Sequence, residues 1–273
     1  MTPIGIFAKT FKRESLLEIL QAAKSEGFDL IQFNMSCVGL PSLPDQIPEN
    51  TLLEIQQAVA ETGLKMAGLS ATFNMGHPDP KVRQAGLASL EVLAEAAPLM
   101  GTELLSLCTG SRHPVDKWAF HPDNTSSAAW LDMCRTLEKA LIIAEQHNIF
   151  LGIEPELGNI VNNAPKAQQL LSEMKSDRIK VILDPANLFE EASLRQMKYF
   201  ITEAIDLLSS AIAMTHAKDR DGVGGFAAPG QGVIPFDYFV QRLAEAGVTA
   251  PMVAHGFEEE EVPGVADFLL GLG

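Results

Sequence analysis

What is scarce in this chain of 273 residues narrows its nature first. There are three cysteines, Cys37, Cys108 and Cys134, odd in number and far apart. They form neither a disulfide framework nor a C-x-x-C metal site, which fits free thiols in the cytoplasm. No apolar run approaches the ~18 residues of a membrane span. The opening stretch MTPIGIFAKTFKRES lacks a long apolar segment and a small-residue cleavage site, so no signal peptide is expected. Basic residues are outnumbered, 20 Lys and Arg against 35 Asp and Glu, and they form no cluster. The formal net charge of −15 repels nucleic acid and anionic membranes, and neither is expected as a partner. The chain has no low-complexity linker and no break in composition. A doubly wound open sheet would carry a Gly-rich turn after its first strand, and FAKTFKRE has no glycine. One cytoplasmic domain spanning 1–273 is expected.

What is there is a repeat. Hydrophobic residues make up 47% of the chain. Apolar, strand-like runs recur about every 34 residues, the length of a βα unit. They are PIGIFAKTF (3–11), DLIQFNMS (29–36), KMAGLSATFN (65–74), ELLSLCTG (103–110), FLGIEPE (150–156), KVILDPA (180–186), IAMTHAKD (212–219) and PMVAHGF (251–257). Segments of helical period separate them, and three of these end in Gly27, Gly63 and Gly101, suited to cap a helix C-terminus. Eight strands alternating with eight helices imply an α/β fold with a parallel sheet, and eight units in about 250 residues are what a (β/α)8 TIM barrel needs.

Such a barrel gathers its chemistry at the C-terminal ends of its strands. Polar residues close these runs: Gln32 and Asn34; Thr72 and Asn74; Ser111, Arg112 and His113; Glu154 and Glu156; Asp184 and Asn187; His216, Lys218 and Asp219; His255. Residues two apart on a strand point the same way, so GIEPE aims two carboxylates at one place, which is costly without a partner. Glu154, Asp184, His216 and His255 come from four consecutive strands, and two carboxylates with two imidazoles form a metal-binding set. Mixed nitrogen and oxygen ligands favour one Mn2+, Zn2+, Co2+ or Fe2+ ion over Mg2+ or Ca2+. Taken singly, each residue also has an ordinary reading. Asp184 suits a helix N-cap, His216 a core position, Glu156 a surface position beyond the strand, and Lys218 an ion pair with Asp219 or Glu156. The glycines of GGFAAPGQGVIPF suit a flexible loop rather than a phosphate cradle, and EEEE (258–261) a solvated helix start.

GIEPE, ILDPANL, THAKD and the end of the eighth strand resemble the xylose-isomerase-like TIM barrels, the sugar isomerase and epimerase superfamily, over essentially the whole chain. The resemblance implies one divalent metal held by a Glu, an Asp, a His and a final Glu. Glu154, Asp184 and His216 match the first three; His255 stands where the last Glu aligns, and Asn187 where many epimerases have a substrate-contacting His. The endonuclease relatives need a larger ligand set for three metals, which this chain lacks. The expected activity is isomerisation or epimerisation of a small sugar, sugar phosphate or related keto-polyol. A proton leaves next to a carbonyl, giving a metal-stabilised enediolate. Glu154 is the expected base, with Glu156 as its alternate, and His255 is a ligand or second proton-transfer group. Asn34, Asn74, Arg112, Asn187 and Lys218 are candidates to orient substrate. The alternatives are a lyase or dehydratase on the same barrel, or a sugar-binding barrel with impaired chemistry. A homo-oligomer is compatible with the sequence.

Overall fold

The computed structural model describes residues 2–272. Eight parallel strands close into a barrel: β1 (Ile4–Phe7), β2 (Leu30–Phe33), β3 (Lys65–Ser70), β4 (Leu104–Cys108), β5 (Phe150–Glu154), β6 (Ile179–Leu183), β7 (Ile212–Ala217) and β8 (Met252–Ala254). Each pairs with its neighbours in sequence, and β8 closes the ring on β1. Eight helices alternate with them: α1 (Leu16–Ser25), α2 (Glu49–Thr62), α3 (Pro80–Met100), α4 (Ser127–Gln146), α5 (Ala164–Met174), α6 (Leu194–Leu208), α7 (Phe236–Glu245) and α8 (Val262–Leu270). Local chemistry sets their ends. Ser15 and Ser193 form capping boxes with Glu18 and Gln196, while Gly63 and Gly101 end α2 and α3 in left-handed conformation.

Every strand stops short of the apolar run that marks it in the sequence. The runs leave the ladder where their polar residues begin, so β5 ends at Glu154 and β6 at Leu183. The backbone beyond is free to turn and present those side chains. After β7 the chain makes a two-stranded ribbon, Asp219–Arg220 with Phe226–Ala227, where the sequence suggests only a loop.

Two apolar layers hold this frame. The larger lies between the strands and the helices and includes Phe28, Phe33, Leu90 and Phe239. The smaller fills the barrel itself: Leu104, Ile182, Met214 and Val253. Gly152 completes it by having no side chain, because a Cβ there would stand 2.9 Å from Ile182. The period of two then decides what comes one layer higher. Above Gly152 is Glu154, above Ile182 is Asp184, above Met214 is His216, and above Val253 is His255. The four polar residues rest on an apolar plug.

Candidate active site

The four side chains meet. One ligand atom from each of Glu154, Asp184, His216 and His255 lies within 4.8 Å of the others. His216 Nδ1 is 2.9 Å from Glu154 Oε1, and its Nε2 is 2.8 Å from Gln32 Oε1. His255 packs against His216, ring centroids 4.3 Å apart, with its Nε2 3.4 Å from Asp184 Oδ2. Asn187 donates from Nδ2 to Glu154 Oε1 at 3.1 Å and accepts from Lys218 Nζ at 3.1 Å. Lys218 pairs with Asp184 at 3.3 Å, not with Asp219 or Glu156.

Asp184 serves two purposes. Its Oδ1 accepts from the Ala186 amide and caps the turn Pro185–Asn187, the ordinary reading of its sequence. Its Oδ2 has no hydrogen-bond partner, and neither has His255 Nε2. An unpaired buried acceptor costs about 1–3 kcal/mol. Asp184 Oδ2, with only the Lys218 ammonium at 3.3 Å to offset it, faces His255 Nε2 beside a second buried carboxylate, a cradle that a divalent cation would satisfy. These residues fit the divalent ion that the resemblance implies.

The electrostatics agree. Burial pushes Glu154 up, but the charge and hydrogen bond of His216 outweigh it and hold the carboxyl below its usual range. Burial likewise opposes ionisation of Asp184, and Lys218 and His255 override it. Burial, then repulsion from His216, lowers His255 to about 4, leaving its lone pair free. Glu156 differs. Burial and the neighbouring Glu154 push it up to about 8, against the opposing pull of Lys218 and Asn187.

A cavity of about 600 Å3 opens above this floor. Glu154, Glu156, Asn187, His216, Lys218 and His255 all line it, so the two carboxylates of GIEPE do face one space. Three expected substrate contacts do not reach its lining. Asn34 Oδ1 is taken by the Ser36 amide and the Ser42 hydroxyl, a cap on the turn Met35–Val38. Asn74 is bonded through both amide atoms to the Ser111 backbone. The Arg112 guanidinium is tied to Asp132 at 2.7 Å and to the Gly76 carbonyl. All three brace loops instead, because each polar group finds a backbone or charged partner closer than the cavity.

The brace at Asn74 depends on Gly110, whose φ is +73°. A Cβ there would stand 2.0 Å from Asn74 Oδ1. Gly110→Ala is expected to destabilise the fold by about 2–4 kcal/mol, a fall in melting temperature of roughly 5–15 °C. A calorimetric scan showing no change would dismiss this account of the loop.

Sequence reasoning passed over Phe7, Lys9, Trp118, Phe120, Arg220 and Phe226, which also line the cavity. Phe7 and Lys9 continue β1 at the same period of two that finds Glu154 and Glu156, so they were within reach. Arg220 follows His216 and Lys218 at the same period, Phe226 sits on the facing strand of the ribbon, and Trp118 and Phe120 sit in a loop, where no period applies.

The arrangement can be set beside known proteins. The L-ribulose-5-phosphate 3-epimerase UlaE of Salmonella paratyphi A is 22% identical over 263 residues, covering 94% of this chain and 88% of the relative. Among solved structures, the 3-keto-D-glucoside 4-epimerase YcjR from E. coli superposes with a TM-score of 0.80 at 20% identity, covering 100% of this chain and 99% of that one. The IOLI protein, solved with a binding zinc atom, superposes with a TM-score of 0.76 at 17% identity over 100% and 98% of the two chains. No described helix is long and apolar enough to cross a membrane. The model of the xylose isomerase-like TIM barrel matches residues 20–269, nearly the full length, and the chain belongs to that family.

Proposed function

We propose that this protein is an isomerase or epimerase of a small sugar or related keto-polyol, working by proton transfer at a carbon next to a carbonyl. The observation that carries the reading is the buried pair Asp184 Oδ2 and His255 Nε2, 3.4 Å apart and neither hydrogen-bonded, beside a cavity lined by His255, Glu154 and Glu156. Sugar epimerases among the relatives support the same class. Glu154, Asp184, His216 and His255 would hold one divalent ion, which when bound supplies Lewis-acid polarisation of a carbonyl.

The remaining steps belong to side chains. Glu154 is held by His216 and Asn187, which fixes its carboxylate at the cavity floor. Glu156, two residues on and facing the same space, is placed to exchange a proton with one face of a substrate carbon, as a base when ionised and an acid when protonated. It stands in for the final Glu that His255 replaces, as the proton-transfer group apart from Glu154. Lys218 and Asn187 offer donors to hydroxyl or carbonyl oxygens, and Asn187 keeps the ammonium aligned. The apolar plug beneath excludes water from the floor, which strengthens each of these interactions.

The test is NMR in D2O with the metal-loaded protein and a panel of ketoses. Deuterium should enter at a carbon next to the carbonyl while the oxygen count is unchanged. Loss of water would mark a dehydratase. Absence of exchange with every ketose would remove the isomerase reading.

A further inference from the structure

The barrel mouth is unusual for what it exposes. Trp118 and Phe120 stand on the loop after β4, and Phe226 on the ribbon after β7, 42%, 63% and 54% exposed. All three line the same cavity as the carboxylates. Large exposed apolar groups gathered around a polar cleft mark a binding surface.

The chain beside Trp118 and the ring of Phe226 are held. The Lys117 ammonium donates to the Thr72 carbonyl at 2.7 Å, and Asn159 Nδ2 donates to the Lys117 carbonyl at 2.9 Å, so the residue before Trp118 is held at both ends. The Trp118 amide donates to Asp116 Oδ1. Across the mouth, Lys218 Nζ and Arg220 lie 4.3 and 4.6 Å from the Phe226 ring centre. The backbone that carries Trp118 is thereby ordered before a ligand arrives.

The places where a TIM barrel usually holds phosphate are closed to it. Those are the loops after the seventh and eighth strands and the start of a short extra helix. In the first loop, the buried carboxylate of Asp219 accepts from the amides of Arg220, Ile234, Gly230 and Gly232 at 2.8–3.0 Å. Asp221 takes those of Val223 and Gly225. The backbone donors an anion would need already serve two aspartates. In the second place the short helix is Glu259–Glu261, preceded by Glu258, whose own amide is taken by the Glu261 carboxylate. Four acids repel a phosphate. Of the three cations lining the cavity, Lys218 is engaged with Asp184 and Asn187, and Arg220 with the carbonyls of Ala186 and Gly224; Lys9 has no ion pair among the described residues, sits over the Phe7 ring at 4.5 Å, and burial disfavours its charge.

We infer that Trp118, Phe120 and Phe226 form a subsite for a second sugar ring, and that the substrate is an uncharged two-ring sugar rather than a sugar phosphate. A pyranose ring has an apolar C–H face and a polar edge. The exposed aromatic rings match the first, and the Glu190 carboxylate in the lining matches the second. A cavity of about 600 Å3 is also roomier than one ring requires. The inference names the substrate class for the isomerase reading and rests on it.

The chain's two tryptophans allow a direct measurement. Trp130 lies outside the cavity, bonded to Glu173, so the Trp130→Phe protein reports fluorescence from Trp118 alone. The metal-loaded protein is titrated with D-fructose, D-fructose 6-phosphate, maltulose and lactulose. At least one of the two-ring ketoses is expected to bind about tenfold tighter than fructose, and the phosphate no tighter than fructose. In the same background, Phe120→Ala and Phe226→Ala should bring that ratio towards one. Tightest binding by fructose 6-phosphate, equal binding of all four, or no response to either two-ring ketose overturns the inference. Binding is read without turnover, so failure of the isomerase reading shows separately, as absent deuterium exchange with every ketose.

Discussion

Glu156→Gln should abolish deuterium exchange while leaving the metal content of the protein intact. The side chain lines the cavity and is not one of the four clustered ligands. Glutamine keeps its shape and removes only the ability to exchange a proton. The expected fall in turnover is about 10²–10⁴-fold, the range of a general acid or base. Glu154→Gln should lose turnover too, but for two reasons at once, since that carboxylate also belongs to the metal cradle. The pair of variants therefore separates the roles. Loss of exchange with full metal identifies Glu156 as a proton-transfer group; loss with depleted metal places Glu154 among the ligands. Unimpaired exchange in Glu156→Gln would strike that residue from the mechanism.

The barrel is legible in the sequence because its physics is periodic. A strand buried on both faces is mostly apolar, and its carboxylates and imidazoles gather where it ends. Eight such runs therefore located both the sheet and its functional rim. Glu154, Asp184, His216 and His255 could be found together because each sits two residues beyond a member of the interior plug or of its glycine gap. Asn187 and Lys218 followed from the same ends. Asn34, Asn74 and Arg112 show where the rule stops. They too lie at strand ends, but beyond the last ladder bond the chain turns, and a side chain takes whichever partner the turn offers. For Asn34 that partner was its own backbone two residues on, and for Asn74 it was Ser111, 37 positions away. Trp118 and Phe120 were out of reach for the complementary reason. Their place at the mouth depends on the Lys117–Asn159 and Lys117–Thr72 bonds, contacts between loops that no local pattern encodes.

Chelation should lower the melting temperature of this protein, and Asp184→Asn should make it insensitive to chelator. In the free protein the buried Asp184 Oδ2 has only Lys218 at 3.3 Å for compensation, and His255 Nε2 has no donor to meet it. A cation that binds only the folded form adds about 2.7 kcal/mol at a hundredfold excess over its dissociation constant, a rise of roughly 5–10 °C for a chain of this size. Asparagine preserves the cap to Ala186 through Oδ1, so the variant should fold, yet it removes the negative charge that faces His255. Purified protein should carry about one divalent ion per chain, and Asp184→Ala and His216→Ala should lose it. His255 offers a finer measure. An imidazole in place of a carboxylate softens the donor set, favouring zinc, so His255→Glu should shift the zinc-to-manganese affinity ratio about tenfold towards manganese. A protein that purifies without metal, and whose unfolding ignores both chelator and added zinc or manganese, would leave the two orphaned atoms without an occupant and the proposed chemistry without its centre.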